Sequence, residues 1–403
     1  MRYFKPTDIL LPDFSRTDGE KWAVIACDQF TGEPEYWHEV EEKVQDAPST
    51  LRVILPECYL GKEDDKRIAA IHQSMEKYIE STLLCHESTM IYLRRTLPDG
   101  RVRTGLVAAL DLEAYDYSAQ SQSPIRPTEG TVLSRIPPRV RVRREASLEA
   151  PHVMILIDDK TNSVLSAADA AWDKSLPAYS IPLMQEGGKA EGRFLSEDVQ
   201  SEVLSRLDAV VAGKSLQYAV GDGNHSLATA KAHYEEVKKE LGEEAKNHPA
   251  RYALAEIVNI HSPALVFEPI YRAVFTKDAE ELLAYLRAAE GDNAKMQTFR
   301  YICGEKAGEI QMPATHTLPV GTLQKALDAY EKEHPDCETD YIHGEDSLAA
   351  IAAKPGCVGF LFEGMKKEDL FPAVEKDGPL PRKTFSMGHA REKRYYIECR
   401  KIR

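Results

Sequence analysis

The sequence predicts an α/β fold with a smaller α+β region towards the C-terminus. Short apolar runs alternate with helix-period patterns along most of the chain. One run, Gln217-Tyr218-Ala219-Val220, passes through Gly221-Asp222-Gly223-Asn224-His225-Ser226 straight into a helical pattern. That pattern puts Leu227, Ala230, Tyr234, Val237 and Leu241 on one face. Beyond about residue 276 the texture changes to separate helices and strands. The expected division is residues 1–275, which carry the glycine turn, and residues 276–403.

Composition narrows the function classes. A chain of 403 residues exceeds one ordinary core, so two domains or one core with an insertion is expected. A hydrophobic fraction of 43% with 29% charged residues is that of a soluble globular protein. The formal charge of −14 argues against nucleic acid or an anionic membrane as partner, while allowing a local basic pocket for an acidic small molecule. The seven cysteines are odd in number and scattered, without a CxxC pair, which suggests reduced thiols rather than disulfides or a zinc site. No apolar run approaches membrane-spanning length, and Met1-Arg2-Tyr3-Phe4-Lys5-Pro6 lacks the apolar core of a signal peptide. A cytoplasmic, bacterial-type protein is expected.

In chain order, Trp22 to Cys27 reads as a strand ending at Asp28. Gly32-Glu33-Pro34 opens a helix with Trp37, Val40 and Val44 on its buried face, proline standing where a first-turn residue can lack its N–H. Leu51 to Leu55 reads as a second strand, and Ile68, Ile71, Met75 and Ile79 as the face of a helix. Met90–Arg94 and Val102–Leu110 flank Pro98-Asp99-Gly100, a hairpin signal. The polar stretch from Tyr115 to Glu129 is turn-rich.

The run from Arg135 to Arg144 holds five arginines. If extended, it puts Arg139, Arg141 and Arg143 on one face as a phosphate-facing stripe. Otherwise it is a solvated edge strand, or a helix flank paired with Glu145 and Glu149. His152 to Ile157 is a buried-type strand, Glu186-Gly187-Gly188-Lys189 a surface hairpin or a lid, and Val199 to Val210 a helix. Tyr252–Ile260 and Ala264–Phe267 read as strands. The second region is assigned helices at Ala279–Ala289 and Leu323–Glu333, and strands at Phe299–Cys303, Val358–Phe362 and Tyr395–Cys399.

The glycine turn carries the chemistry. Gly221 and Gly223 permit positive φ and close approach to the backbone. The first amides of the following helix have no internal partner and carry partial positive charge, so the mouth suits phosphate. Asp222 and His225 stand at that mouth. The alternative is an ordinary strand–helix connection in which Asp222 or Asn224 caps the helix.

With three other segments, this turn resembles the bacterial and archaeal family of unknown function numbered 1015. Asp222-Gly223-Asn224-His225-Ser226 matches its Asp-Gly-His-His-Arg hallmark, with Asn224 in place of the first histidine and Ser226 in place of the arginine. Arg126-Pro127-Thr128-Glu129, Pro269-Ile270-Tyr271-Arg272 and Pro381-Arg382-Lys383-Thr384-Phe385 echo its other segments, and Ala26-Cys27-Asp28-Gln29 its N-terminal turn. The hallmark is also similar to that of free-serine kinases with a ParB/sulfiredoxin-type fold. The resemblance implies a ParB/sulfiredoxin-like core with insertions and a nucleotide-binding turn. It further implies phosphoryl transfer to a small hydroxyl compound such as serine, using ATP or ADP with Mg²⁺.

On that reading Gly221, Gly223, Asn224 and Ser226 cradle phosphate, His225 donates to an oxygen, and Asp222 holds Mg²⁺. Asp28, Glu33 or Glu129 accepts the hydroxyl proton. Arg126, Arg272, Lys383 or the 135–144 run substitutes for the missing arginine. Each has a structural alternative: Asp28 as a helix cap, Glu33 as complement to a helix dipole, Arg126 with Glu129 as an ion pair. Two other classes stand beside the kinase. One is a non-catalytic nucleotide or phosphometabolite binder. The other is a metal-dependent hydrolase with Asp222, His225 and a third ligand.

Overall fold

A computed structural model describes residues 2–403, without the side chains of residues 293 and 294. The chain divides into two units. The first comprises Met1–Pro127, Thr131–Leu265 and His389–Arg403, and the second comprises Thr128–Gly130 and Val266–Gly388.

The first unit is built on a nine-stranded mixed sheet. Its strands are β1 (Phe4–Lys5), β2 (Ile91–Thr96), β3 (Val102–Asp111), β4 (Ile125–Pro127), β5 (Met154–Ile157), β6 (Leu176–Leu183), β7 (Gly188–Phe194), β8 (Tyr218–Asp222) and β9 (Tyr252–Asn259). They run in the order β6-β7-β2-β3-β9-β5-β8-β4, with β1 on β3. The β2–β3 hairpin turns at Gly100, whose φ of 86° only glycine adopts freely. Strand β8 pairs parallel to β4 and antiparallel to β5, and β9 runs parallel to β5.

Both faces of this sheet are covered, which explains the unbroken apolar run Leu106–Leu110. Leu106, Ala108 and Leu110 join one core with Ile155, Val220 and Leu227, whereas Val107 joins another with Trp22, Trp37 and Tyr395. The helices are α1 (Pro34–Val44), α2 (Asp64–Ser81), α3 (Ile136–Arg144), α4 (Ser163–Ala170), α5 (Glu197–Val211) and α6 (Asn224–Leu241). Among the described residues no helix is long and apolar enough to cross a membrane.

The second unit holds a six-stranded sheet: β10 (Phe267–Phe275), β11 (Asp292–Cys303), β12 (Lys306–Ala314), β13 (Glu338–His343), β14 (Cys357–Leu361) and β15 (Phe385–Met387). The order is β12-β11-β14-β10-β13, with β15 on β10. Helices α7 (Ala279–Arg287), α8 (Pro319–Glu333), α9 (Glu345–Ala352) and α10 (Leu370–Asp377) accompany it.

Several sequence expectations are corrected. Leu51–Leu55 is not a strand: the Ser49 hydroxyl accepts from the Leu51 amide and starts a 3₁₀ turn at Thr50–Arg52. An apolar run that short does not by itself separate a strand from a buried turn. Trp22 closes a helical turn capped by Asp18, so only Val24–Ile25 is extended there. Ala264–Phe267 is not a strand, which begins at Phe267 instead. The turn-rich stretch conceals β4.

The arginine run is neither stripe nor edge strand. It is α3, with prolines in its first turn. Arg139 pairs with Glu57, Arg141 with Asp65, Arg143 with Glu149 and Arg144 with Glu236. The tail strand belongs to the first unit, not the second: Tyr395–Tyr396 pairs with Val24–Ile25, and Arg400–Lys401 with Leu148–Glu149.

Candidate functional site

Strand β8 delivers Asp222, and Gly223 turns the chain into α6 with φ 79° and ψ 26°. The two glycines are needed for different reasons. A Cβ on Gly223 would add a left-handed strain and lie 3.0 Å from the Cα of Val153, whereas one on Gly221 would run into Leu156 at 2.7 Å.

Capping by Asp222 or Asn224 is overturned. The Oδ1 of Asp222 turns back to accept from the adjacent Gly223 amide at 2.9 Å, and α6 has no side-chain cap. The N-cap residue, Gly223, has no side chain with which to serve the first-turn amides. The Oδ1 of Asn224 is buried there without a hydrogen-bond partner. An 18-residue helix therefore presents its positive end uncapped.

Charged groups border this end. The Nζ of Lys393 lies 3.4 Å from the Oδ2 of Asp222. Asp28 accepts from the Gln29 side chain at 3.1 Å and stands 3.8 Å from the Nε2 of His152. Burial pushes the Asp28 carboxyl up, but His152, Gln29 and Lys393 together outweigh it, so the group lies below its ordinary value. His225 accepts the Val132 amide on Nε2 at 3.2 Å, which leaves Nδ1–H as its donor. Burial, with Arg139 and Arg135 nearby, pulls its pKa down against the opposite pull of Glu57 and Asp28, so the ring is neutral at pH 7.

The sequence-predicted residues divide between the units. Asp28, Arg126, Gly221, Asp222, Gly223, Asn224, His225 and Ser226 lie in the first. Arg126, on β4 beside Ala219, is buried and donates to the Ser121 carbonyl at 3.2 Å. Glu33 is the residue before α1 and makes no side-chain cap.

Glu129, Arg272 and Lys383 lie in the second unit. Arg272 is fully buried; it donates to Gln324 at 2.6 Å and to the carbonyls of Ile270 and Lys383, and its guanidinium stacks on Tyr341. Its donors are thus committed within that unit. Lys383 is exposed, with φ 58°.

Lys393, His152 and Tyr396 escaped the sequence reading. Each sits far along the chain from the motif: His152 and Tyr396 were legible only as members of the strands His152–Ile157 and Tyr395–Cys399, and Lys393 lies outside both.

No protein-built metal centre fits. Among the described residues, no group of three His, Cys, Asp or Glu is placed to hold an ion. The outer oxygen of Asp222 faces an ammonium, and Nε2 of His225 faces an amide. The hydrolase reading lacks its third ligand.

The fold and turn define a mixed α/β protein whose sheet feeds a helix start without a side-chain cap. Residues 13–330 match the profile described as "Protein of unknown function (DUF1015)", and the chain belongs to that family. No curated protein matches it significantly. Among solved structures it is similar to a free serine kinase mutant in complex with AMP, at 12% identity and TM-score 0.41, over 75% of this chain and 93% of that one. A free serine kinase mutant in complex with ADP aligns at 12% identity and TM-score 0.39, over 74% and 92%. SbnI from Staphylococcus aureus, with a C-terminal truncation, aligns at 10% identity and TM-score 0.36, over 70% and 82%.

Proposed function

We propose that the first unit binds the phosphates of a nucleotide, ATP or ADP, at the start of α6 and passes the terminal phosphoryl group to a small hydroxyl compound such as serine. That its core is of ParB/sulfiredoxin type is part of this reading and rests on the motif resemblance. The observation that carries the proposal is the start of α6, without a side-chain cap, with the Asp28 carboxylate within electrostatic reach of His225 in its first turn.

In the step itself, the hydroxyl oxygen forms a bond to the terminal phosphorus and the bridging P–O bond to the nucleotide breaks. The hydroxyl proton goes to Asp28, and the nucleotide leaves one phosphate shorter. The first-turn amides and the Nδ1–H of His225 hold the phosphoryl oxygens. Asp222 fixes the turn through its bond to Gly223, and any Mg²⁺ would arrive with the nucleotide, held by its phosphates. Arg272 has no part in this scheme.

Phosphorus NMR of the protein with ATP or ADP, Mg²⁺ and serine tests the proposal. A phosphate monoester should appear, and Asp28→Asn should abolish it. Nucleotide binding without any product from hydroxy amino acids would reduce the function to that of a binder.

A further inference from the structure

We infer that the C-terminal segment His389–Arg403 completes the binding site, with Lys393 gripping the ligand's phosphate in place of the motif arginine that Ser226 replaces. The inference rests on the phosphate-binding reading above. The segment lies beyond the residues matched to the family, so nothing in that match assigns it a role.

The charge balance at the helix mouth requires a cation. Asp222 stands there and Asp28 acts on the same first turn electrostatically, and two carboxylates would repel an incoming phosphate more strongly than a helix end of about half a charge attracts it. Arg139 is tied to Glu57 in an ion pair. Lys393 is held differently. Its ammonium lies 3.4 Å from Asp222, longer than the roughly 2.7–2.9 Å of a charge-assisted hydrogen bond. It also acts electrostatically on Asp28. Its side chain is 17% exposed. The ammonium is therefore within ion-pair distance of Asp222 and electrostatic reach of Asp28, and keeps donors for a third, anionic group.

The residues on either side of Lys393 are fixed by buried contacts. Arg95 and Arg103 face each other across the β2–β3 pair, a like-charged buried arrangement that is unfavourable by itself. They donate to the tail's backbone, Arg95 to the Arg391 carbonyl at 3.2 Å and Arg103 to the Glu392 carbonyl at 2.9 Å. On the other side, Arg394 pairs with Glu256 and Glu398, both at 2.7 Å. Its carbonyl accepts from the Ala26 amide at 3.0 Å. The next two residues pair with Val24–Ile25, the strand that leads to Asp28. This clamp fixes the backbone on either side of Lys393 next to Asp222, so no main-chain ordering is needed when a ligand binds.

Isothermal titration of the full chain with ADP, and separately with inorganic phosphate, tests the assignment on wild type, Lys393→Met, Lys393→Arg and Lys401→Met. Lys401 is an exposed lysine of the same segment. Lys393→Met should weaken both ligands by about tenfold or more, the loss of one charge-assisted bond. Lys393→Arg should restore most of the affinity, and Lys401→Met should bind like wild type. If wild type binds and Lys393→Met binds equally well, the inference falls while the phosphate-binding reading stands. If wild type binds neither ligand at millimolar concentration, both fall. Restoration by arginine separates loss of charge from loss of folding.

Discussion

Tyr396 and His152 share a hydrogen bond of 2.8 Å within the buried interior of the first unit. The tyrosine oxygen also accepts from the Cys27 amide at 3.1 Å, and Nε2 of the same imidazole stands 3.8 Å from Asp28. A tail residue thus orders a histidine that steadies the proposed proton acceptor. Tyr396→Phe leaves the Cys27 amide and His152 Nδ1 without that partner and should destabilise the protein by about 1–3 kcal/mol. Urea unfolding measures this, and an unchanged midpoint would contradict the assigned bonds.

Gly223 tests the turn itself. An alanine there must adopt a left-handed backbone, which costs about 1–2 kcal/mol, with its Cβ only 3.0 Å from Val153. Gly223→Ala should lower stability by about 2 kcal/mol and weaken nucleotide binding with it. A variant as stable as wild type would show that the backbone at 223 is not left-handed.

His233 gives the protein a pH dependence. Burial, reinforced by Arg143, pulls its pKa down to about 4 from an unfolded value near 6.5. The unfolded chain therefore takes up a proton below about pH 6.5 that the native chain resists until about pH 4. Its contribution is fully present above that window and is lost as pH falls through it. Denaturant titrations at pH 7.5 and pH 5 should show the drop, and His233→Gln should flatten it. An equal slope in the variant would assign the drop to other groups.

The cysteines should react in order of exposure and thiolate character. All seven are free. Burial pushes Cys27 up to about 12 and Cys357 to about 11, and raises the buried Cys399 as well. Cys85 is exposed. Maleimide labelling of native protein followed by mass spectrometry should modify Cys85 first and spare Cys27, Cys357 and Cys399 until unfolding. Early modification of Cys27 would mean that the loop around Asp28 opens readily.

Much of the first unit was legible in the sequence, because period and punctuation are local properties. Pro34 announced α1, Pro98-Asp99-Gly100 the β2–β3 hairpin, and the two glycines the strand–helix turn. Residues that act through distant partners were not legible. Leu51–Leu55 has the look of a strand but no neighbour to pair with. The arginine run could be resolved only by knowing that Glu57, Asp65 and Glu236 stand opposite. The site was half visible: Asp222, His225 and Asp28 came from motif patterns, whereas Lys393 and His152 reach them through sheet register that no short window of sequence contains.

The central claim is that the uncapped start of α6 is the phosphate seat. A crystal structure of the full chain grown with millimolar ADP tests it most directly. The account predicts a phosphate group on the amides of residues 224–226, with the Lys393 ammonium in contact with one of its oxygens. Phosphate density elsewhere on the chain, with those amides bonded only to water, would contradict it.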